Sequence, residues 1–158
     1  MAAIGNEFMW MKTLRGFTLG IIKDLSHEQL LTIPTGFNNN ILWQIGHLLY
    51  EQYQFFYGFT GQPLPLPEGG AEAYKALFDN GTSPKTWETP PDVAGILAEF
   101  ASISDTIIAD ANAGKFDGFQ GRELRPGLLL NDINHLAAFH CVHEGMHMGA
   151  IKAIKAFV

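Results

Sequence analysis

Four stretches of the chain place apolar residues at steps of three and four, which is the spacing of one face of an α-helix. The stretches cover residues 8–25, 41–59, 93–111 and 133–154, and segments rich in glycine or proline separate them. Because amphipathic helices bury their apolar faces against one another, the sequence predicts an all-α fold, a four-helix bundle. We find no internal repeat and no composition break, so residues 1–158 are expected to form one domain.

A long connection, residues 60–92, joins the second and third of these helices. Three prolines within Gly61–Pro67 cannot continue a helix, because each lacks a backbone donor and fixes φ. A short helix is expected around Ala71–Phe78, and the connection is long enough to permit a crossover. Gly114–Gly127 holds four glycines and is predicted to be a loop or a loose hairpin.

Capping signals mark where several helices begin. Ser26 and Gln29 fit the capping-box pattern of a short helix, and Asn38–Asn40 offers three candidate caps for the helix that follows. Asn131 is predicted to cap the last helix. In the first helix, the expected buried face is apolar throughout: Met9, Leu14, Phe17, Ile21, Ile22 and Leu25.

Composition limits the classes of function. The chain is 47% hydrophobic with a net charge of −6, and its single cysteine, Cys141, excludes a disulfide framework and favours a reducing compartment. The ten basic residues are scattered singly, so nucleic acid is not an expected partner. Met1–Trp10 lacks the pattern of a leader and no apolar run is long enough to span a bilayer, so we expect a cytoplasmic protein with no membrane contact.

Three histidines occupy the apolar stripe of the last helix, where a plain bundle would carry leucine or isoleucine. His143 and His147 are within about 40° of each other and about 6 Å apart along the axis, so both imidazoles can reach one ion. His140 is about 10.5 Å from His147 along the axis and is expected in the core or behind the ligands. His135 points away from this face.

His47 is the candidate for a third ligand, because it lies in the middle of the most apolar segment of the chain. Gly46 beside it would let another backbone or a ligand approach closely. Glu51, one turn later, could be a fourth ligand, orient an imidazole or transfer a proton. The alternative is that His47 is a core histidine and that Glu51 is solvated. Cys141 is expected to be a packed side chain and not a ligand.

The segment His143–His147 also reads HExxH, which in zinc metalloproteases supplies two ligands and a general-base glutamate. Those enzymes take their third ligand from downstream, and residues 148–158 contain no His, Asp, Glu or Cys. A protease of this type is therefore disfavoured. Glu144 lies about 100° from the ligand face and is expected behind the ligands or on the surface.

Two blocks, Phe37–Leu48 and Phe139–Gly149, resemble the DinB-like family of metal-binding four-helix bundles. The first has the asparagine-rich helix start followed by Trp and Gly-His, and the second has two further histidines and a following glycine. Ala150 stands where relatives often have glutamine. The resemblance implies that His47, His143 and His147 bind one divalent ion, zinc or nickel, with positions left for water or substrate. It also implies a homodimer formed through the bundle helices.

Some similar proteins transfer low-molecular-weight thiols, so the leading hypothesis is a divalent-metal-dependent enzyme, a thiol S-transferase or a hydrolase, acting on a small molecule. The ion would be the Lewis acid and Glu51 the catalytic residue. The alternative is a non-catalytic, metal-braced dimerisation or binding module. Arg122 and Arg125 either meet an anionic substrate or are solvated, and Trp43 and Tyr50 line the pocket or belong to the core.

Overall fold

The computed structural model of the chain describes residues 4–158, which are mostly helical with one small sheet. The helices are α1 (Asn6–Ile22), α2 (His27–Leu31), α3 (Ile41–Tyr53), α4 (Gly70–Phe78), α5 (Val93–Asn112) and α6 (Ile133–Lys155). The strands β1 (Arg122–Arg125) and β2 (Leu128–Leu130) form an antiparallel hairpin. The expectation of a helical fold is confirmed. Residues 114–127, predicted to be a loop or a loose hairpin, contain β1, and the partner strand β2 begins after Gly127.

The helix starts follow the predicted caps with one exception. Ser26 and Gln29 form the complete capping box of α2, and the Asn40 side chain accepts a hydrogen bond from the Trp43 backbone at 2.7 Å. The assignment of Asn131 as the cap of α6 is wrong. Asp132 caps that helix, because its carboxylate accepts hydrogen bonds from two backbone N–H groups of the first turn.

The predicted buried face of α1 is wrong in part: Ile22 is buried and Ile21 and Leu25 pack against the core, but Met9 and Phe17 do not. Met9 and Phe17 are 56% and 59% exposed. The residues that face the interior recur at helical spacing but include two polar side chains: Phe8, Met11, Arg15, Thr18 and Ile22. Apolar periodicity could not identify this face, because it includes Arg15 and Thr18. These polar side chains can be buried because both form hydrogen bonds with Glu144.

Helix α3 lies at the centre of the fold. It packs against α4, α5 and α6, while α1 packs against α5 and α6. Every residue of α3 except Glu51 is buried, which agrees with apolar residues on nearly all sides of the helix. The α-helix ends at Tyr53 and continues as one π-helical turn, Gln54–Gly58, so the predicted length of this helical stretch is close to the observed one.

Among residues 4–158, we find no helix that is both long and apolar enough to cross a bilayer. The expectation about the N-terminal stretch Met1–Trp10 rests partly on residues 1–3, which lie outside the described part of the chain.

Candidate metal centre

The imidazoles of His47, His143 and His147 converge between α3 and α6. Their potential ligand atoms all lie within 4.8 Å of one another. The two Nε2 atoms of His143 and His147 are 3.1 Å apart, and the His47 ring centroid is 5.2 Å from that of His143 and 4.8 Å from that of His147. The structure therefore brings together the three residues that the sequence singles out, from two distant segments of chain.

Hydrogen bonds orient two of the three rings. The His47 Nδ1 atom lies 2.7 Å from the Phe78 carbonyl oxygen. Because a carbonyl can only accept, Nδ1 carries the proton and Nε2 presents a lone pair. His147 Nδ1 lies 2.5 Å from Gln44 Oε1, which fixes the same tautomer. Metal-binding histidines are commonly oriented in this way, through the ring nitrogen that does not bind the ion.

Aromatic neighbours hold His47 in place. The Trp43 ring stacks on it with centroids 4.9 Å apart and an interplanar angle of 8°, and Trp43 Nε1 donates to Thr82 at 2.9 Å. A Cβ added at Gly46 would lie 2.3 Å from the Phe78 ring. The group that approaches Gly46 is thus the Phe78 side chain, not the backbone or ligand expected, and the Phe78 backbone carbonyl accepts the hydrogen bond from His47.

Burial keeps these imidazoles neutral. Burial, together with the neighbouring histidines, lowers the pKa of His143 to about 3 and that of His147 to about 4. Burial also lowers the pKa of His47, against the opposing effect of its hydrogen bond to Phe78. Neutral imidazole is the form that binds metal, so the three rings are in the required state at neutral pH.

The donor set fits a divalent ion of zinc or nickel type. A tetrahedral ion with bonds of about 2.0–2.1 Å separates two ligand nitrogens by about 3.3 Å, close to the His143–His147 distance of 3.1 Å. The cluster contains three neutral nitrogens and no carboxylate or thiolate. Cys141 is half-buried, and burial raises the pKa of its thiol to about 11, which agrees with a packed side chain.

Glu51 lies outside the group of three ligand atoms and faces an adjoining cavity. This cavity, which we call the His143 cavity, has a volume of about 380 Å³ and is lined by Glu51, Phe55, Asn80, Leu124, Arg125, Phe139 and His143. Burial, and then the charge of Asp79, raises the pKa of Glu51 to about 7. A larger cavity of about 500 Å³ shares Glu51 but includes none of the three histidines.

A second buried polar cluster lies behind the ligands. The Arg15 guanidinium donates to both carboxylate oxygens of Glu144, at 3.0 and 3.2 Å, and to Gln52 at 2.7 Å. Thr18 also donates to Glu144, and His140 Nε2 lies 3.3 Å from it. We call these five residues the Arg15 cluster.

The Arg15 cluster excludes Glu144 as a general base of the HExxH type. Although burial opposes ionisation, the Arg15 charge lowers the pKa of Glu144 to about 2, and its side chain is fully buried beside the guanidinium. Glu144 and His140 thus lie behind the ligands, as expected. The sequence analysis missed Arg15, since its helical spacing from Phe8, Met11 and Ile22 becomes informative only when the distant partner Glu144 is known.

A comparison with family models identifies the superfamily of the chain. The model of the DinB superfamily matches residues 11–151, which include all three clustered histidines. The search of curated proteins finds no match.

Proposed function

Because the chain belongs to the DinB superfamily, we propose that it is a divalent-metal-dependent enzyme that acts on a small molecule through His47, His143 and His147. The reaction we propose is thiol S-transfer or hydrolysis. One observation carries this proposal: three neutral imidazoles lie close together, and one of them, His143, lines the His143 cavity. Catalytic zinc sites commonly hold the ion through three protein ligands and keep the remaining position for substrate or water.

A bound ion of this type supplies Lewis acidity to a thiol, a water molecule or a carbonyl group. Imidazole nitrogens suit zinc and nickel, which is why we propose these two ions. The chain's own residues would fix the geometry. His47 and His147 are held by their bonds to Phe78 and Gln44, so little rearrangement is needed when the ion enters.

We assign proton transfer to Glu51. It shares the His143 cavity, and a carboxyl group with a pKa of about 7 exchanges protons readily near neutrality. In S-transfer, the thiol sulfur forms a bond to an electrophilic carbon while the bond to the leaving group breaks. Glu51 takes the thiol proton and returns it to the leaving group. In hydrolysis, Glu51 takes a proton from the attacking water in the same way.

The test is turnover by the zinc-loaded and nickel-loaded protein, measured with low-molecular-weight thiols plus electrophiles and with simple esters and amides. We expect turnover that His143→Ala abolishes and Glu51→Gln reduces by roughly 10²-fold or more. His27→Ala, a substitution of an exposed histidine on α2, is the control and should leave turnover unchanged. Absence of turnover with every substrate and either ion would contradict the enzymatic proposal.

A second candidate function, a metal-braced dimerisation module, is favoured by a different observation. Helices α1 and α6 pack together, and each leaves large apolar side chains exposed on its outer side. Trp10 and Phe17 are 56% and 59% exposed on α1, and Val142 and Met146 are both 61% exposed on α6. We propose that a second copy of the chain covers this face within a homodimer of four-helix bundles.

The mutual packing of α1, α3, α5 and α6 supports the bundle assignment. Light scattering tests the dimer: we expect twice the chain mass for the native protein and the chain mass for Phe17→Glu. If the native protein and Phe17→Glu are both dimers, this face of α1 and α6 is not the dimer interface. Loss of the dimer on removal of the ion, in a protein without turnover, would favour the bracing function over the enzymatic one.

A further inference from the structure

The His143 cavity contains one permanent cation among its described lining residues, Arg125. Its other titratable lining groups are Glu51 and His143. The Arg125 backbone pairs with Leu128 in the hairpin, but its guanidinium makes no hydrogen bond or ion pair within residues 4–158. The chain as a whole has a net charge of −6, so a free guanidinium here is a local exception that would attract an anion.

The other two arginines are engaged elsewhere. Arg15 is buried and bound to Glu144, and the Arg122 guanidinium lies 4.1 Å from the centroid of the Phe59 ring. Arg122 does not line the His143 cavity, although it lies on the same strand as Arg125. Arg125, which lines the cavity, and Arg122, which does not, therefore serve as test residue and control.

The backbone of the hairpin supports this placement. The pairing of β1 with β2 shifts between Glu123 and Arg125, which is the signature of a bulge. A bulge places an extra residue in one strand and re-aims the side chains that follow it. Leu124, within the shifted segment, and Arg125 both line the cavity.

Apolar side chains form part of the wall that the His143 cavity shares with Arg125 and His143. Phe55, Leu124 and Phe139 supply its apolar wall, and the Phe55 ring contacts both Phe139 and His143, with centroids 5.5 and 5.9 Å apart. A ligand that reaches from the histidines to Arg125 therefore needs an apolar middle and an anionic end.

We propose that Arg125 is a specificity residue that selects small molecules carrying a carboxylate joined by an apolar segment to the reactive thiol or carbonyl. This inference rests on the proposed metal-dependent function of the same site and deepens it. The guanidinium matches a carboxylate in shape and charge, while the apolar wall disfavours a ligand that is polar throughout.

The experiment uses the full chain loaded with Co²⁺, whose visible spectrum reports a thiol entering the coordination sphere. Three probes share one six-carbon chain and differ at the far end: 6-mercaptohexanoate, 6-mercaptohexanol and 6-aminohexane-1-thiol. The chain is long enough to keep the carboxylate from chelating the same ion. Each probe is titrated into the native protein, Arg125→Gln, Arg125→Lys and the control Arg122→Gln.

We expect the native protein to bind the carboxylate about fivefold more tightly than the alcohol, with the amine weakest. Arg125→Gln should abolish this preference and leave the alcohol's affinity within twofold. Arg125→Lys should retain part of the preference, and Arg122→Gln should retain all of it. Equal binding of the three thiols by the native protein, or an unchanged preference in Arg125→Gln, would overturn the inference while leaving the proposed function intact. If no thiol alters the cobalt spectrum, the proposed thiol chemistry fails and the inference fails with it.

Discussion

The two buried polar clusters differ in how their charges are balanced. In the Arg15 cluster a cation meets an anion, and the carboxylate of Glu144 accepts bonds from Arg15 and Thr18. In the histidine cluster three neutral rings face one another, and two of them present their Nε2 lone pairs inward. Each cluster also holds one buried Nδ1 atom without a partner among residues 4–158, that of His140 in the Arg15 cluster and that of His143 in the histidine cluster, so the contrast lies in the charges.

This difference indicates what each cluster is for. In the Arg15 cluster the buried cation and the buried anion pair with each other, so the cluster needs no added ion and stabilises the packing of α1 against α6. The histidine cluster gathers donors of electron pairs and contains no cation of its own, an arrangement that a metal ion would complete. Adjacent residues of one helix, His143 and Glu144, thus serve two separate purposes.

Breaking the Arg15 cluster should have the largest effect. Arg15→Met leaves the buried Glu144 carboxylate without its cation, and we expect the free energy of unfolding to fall by about 3–5 kcal/mol. Urea denaturation measures the free energy of unfolding of each variant. Lys12→Met on the same helix removes an exposed ion pair with Asp105 and should cost less than about 1 kcal/mol. Equal losses in the two variants would show that the buried pair has no special role.

Removing one imidazole should cost metal binding and leave the fold intact. We expect His143→Ala to weaken zinc affinity by about 100-fold or more, while its metal-free free energy of unfolding stays within about 1 kcal/mol of the native value. Zinc at 100 times the native dissociation constant should stabilise the native protein by about 2.7 kcal/mol and the variant hardly at all. A variant that unfolds without added ion would instead identify the cluster as a structural brace.

The orientation of His147 can be tested without touching a ligand. Gln44→Leu removes the acceptor of the His147 Nδ1 proton, so we expect zinc affinity to fall by about 10- to 100-fold. Gln44→Glu keeps an acceptor at this position and should retain the affinity. Competition with a chelator of known affinity measures both variants, and equal behaviour of the two would show that the hydrogen bond is irrelevant.

The smallest effect concerns Glu51, which belongs to neither cluster. Its pKa of about 7 in the folded protein lies above its ordinary value of 4.5, so folding favours the protonated form. The free energy of unfolding of the metal-free native protein should therefore decrease as pH rises from about 4.5 to 7. Glu51→Gln should lack this decrease. The pH-dependent change in the free energy of unfolding should differ between the two proteins by only about 1 kcal/mol, because water partly screens the half-exposed carboxylate. A difference independent of pH would place Glu51 in an ordinary surface environment.

Sequence alone could predict the histidine cluster because helical spacing places His143 and His147 on one face, and His47 stands out in an apolar segment. It could not predict the Arg15 cluster. Burial of Arg15 depends on Glu144, which is 129 positions away, and on Gln52 from a third helix. The same limit applies to the Phe78 carbonyl that orients His47, because only the packing of α4 on α3 brings them together.

The proposed metal centre requires that the imidazoles of His47, His143 and His147 hold one cation. The direct test is anomalous diffraction from a crystal grown with zinc, recorded above and below the zinc absorption edge. We expect one strong peak per chain, about 2.0–2.1 Å from a ring nitrogen of each of His47, His143 and His147. A zinc-saturated crystal with no peak between these three rings, or with its peak at other residues, would show that the three histidines do not form a zinc site.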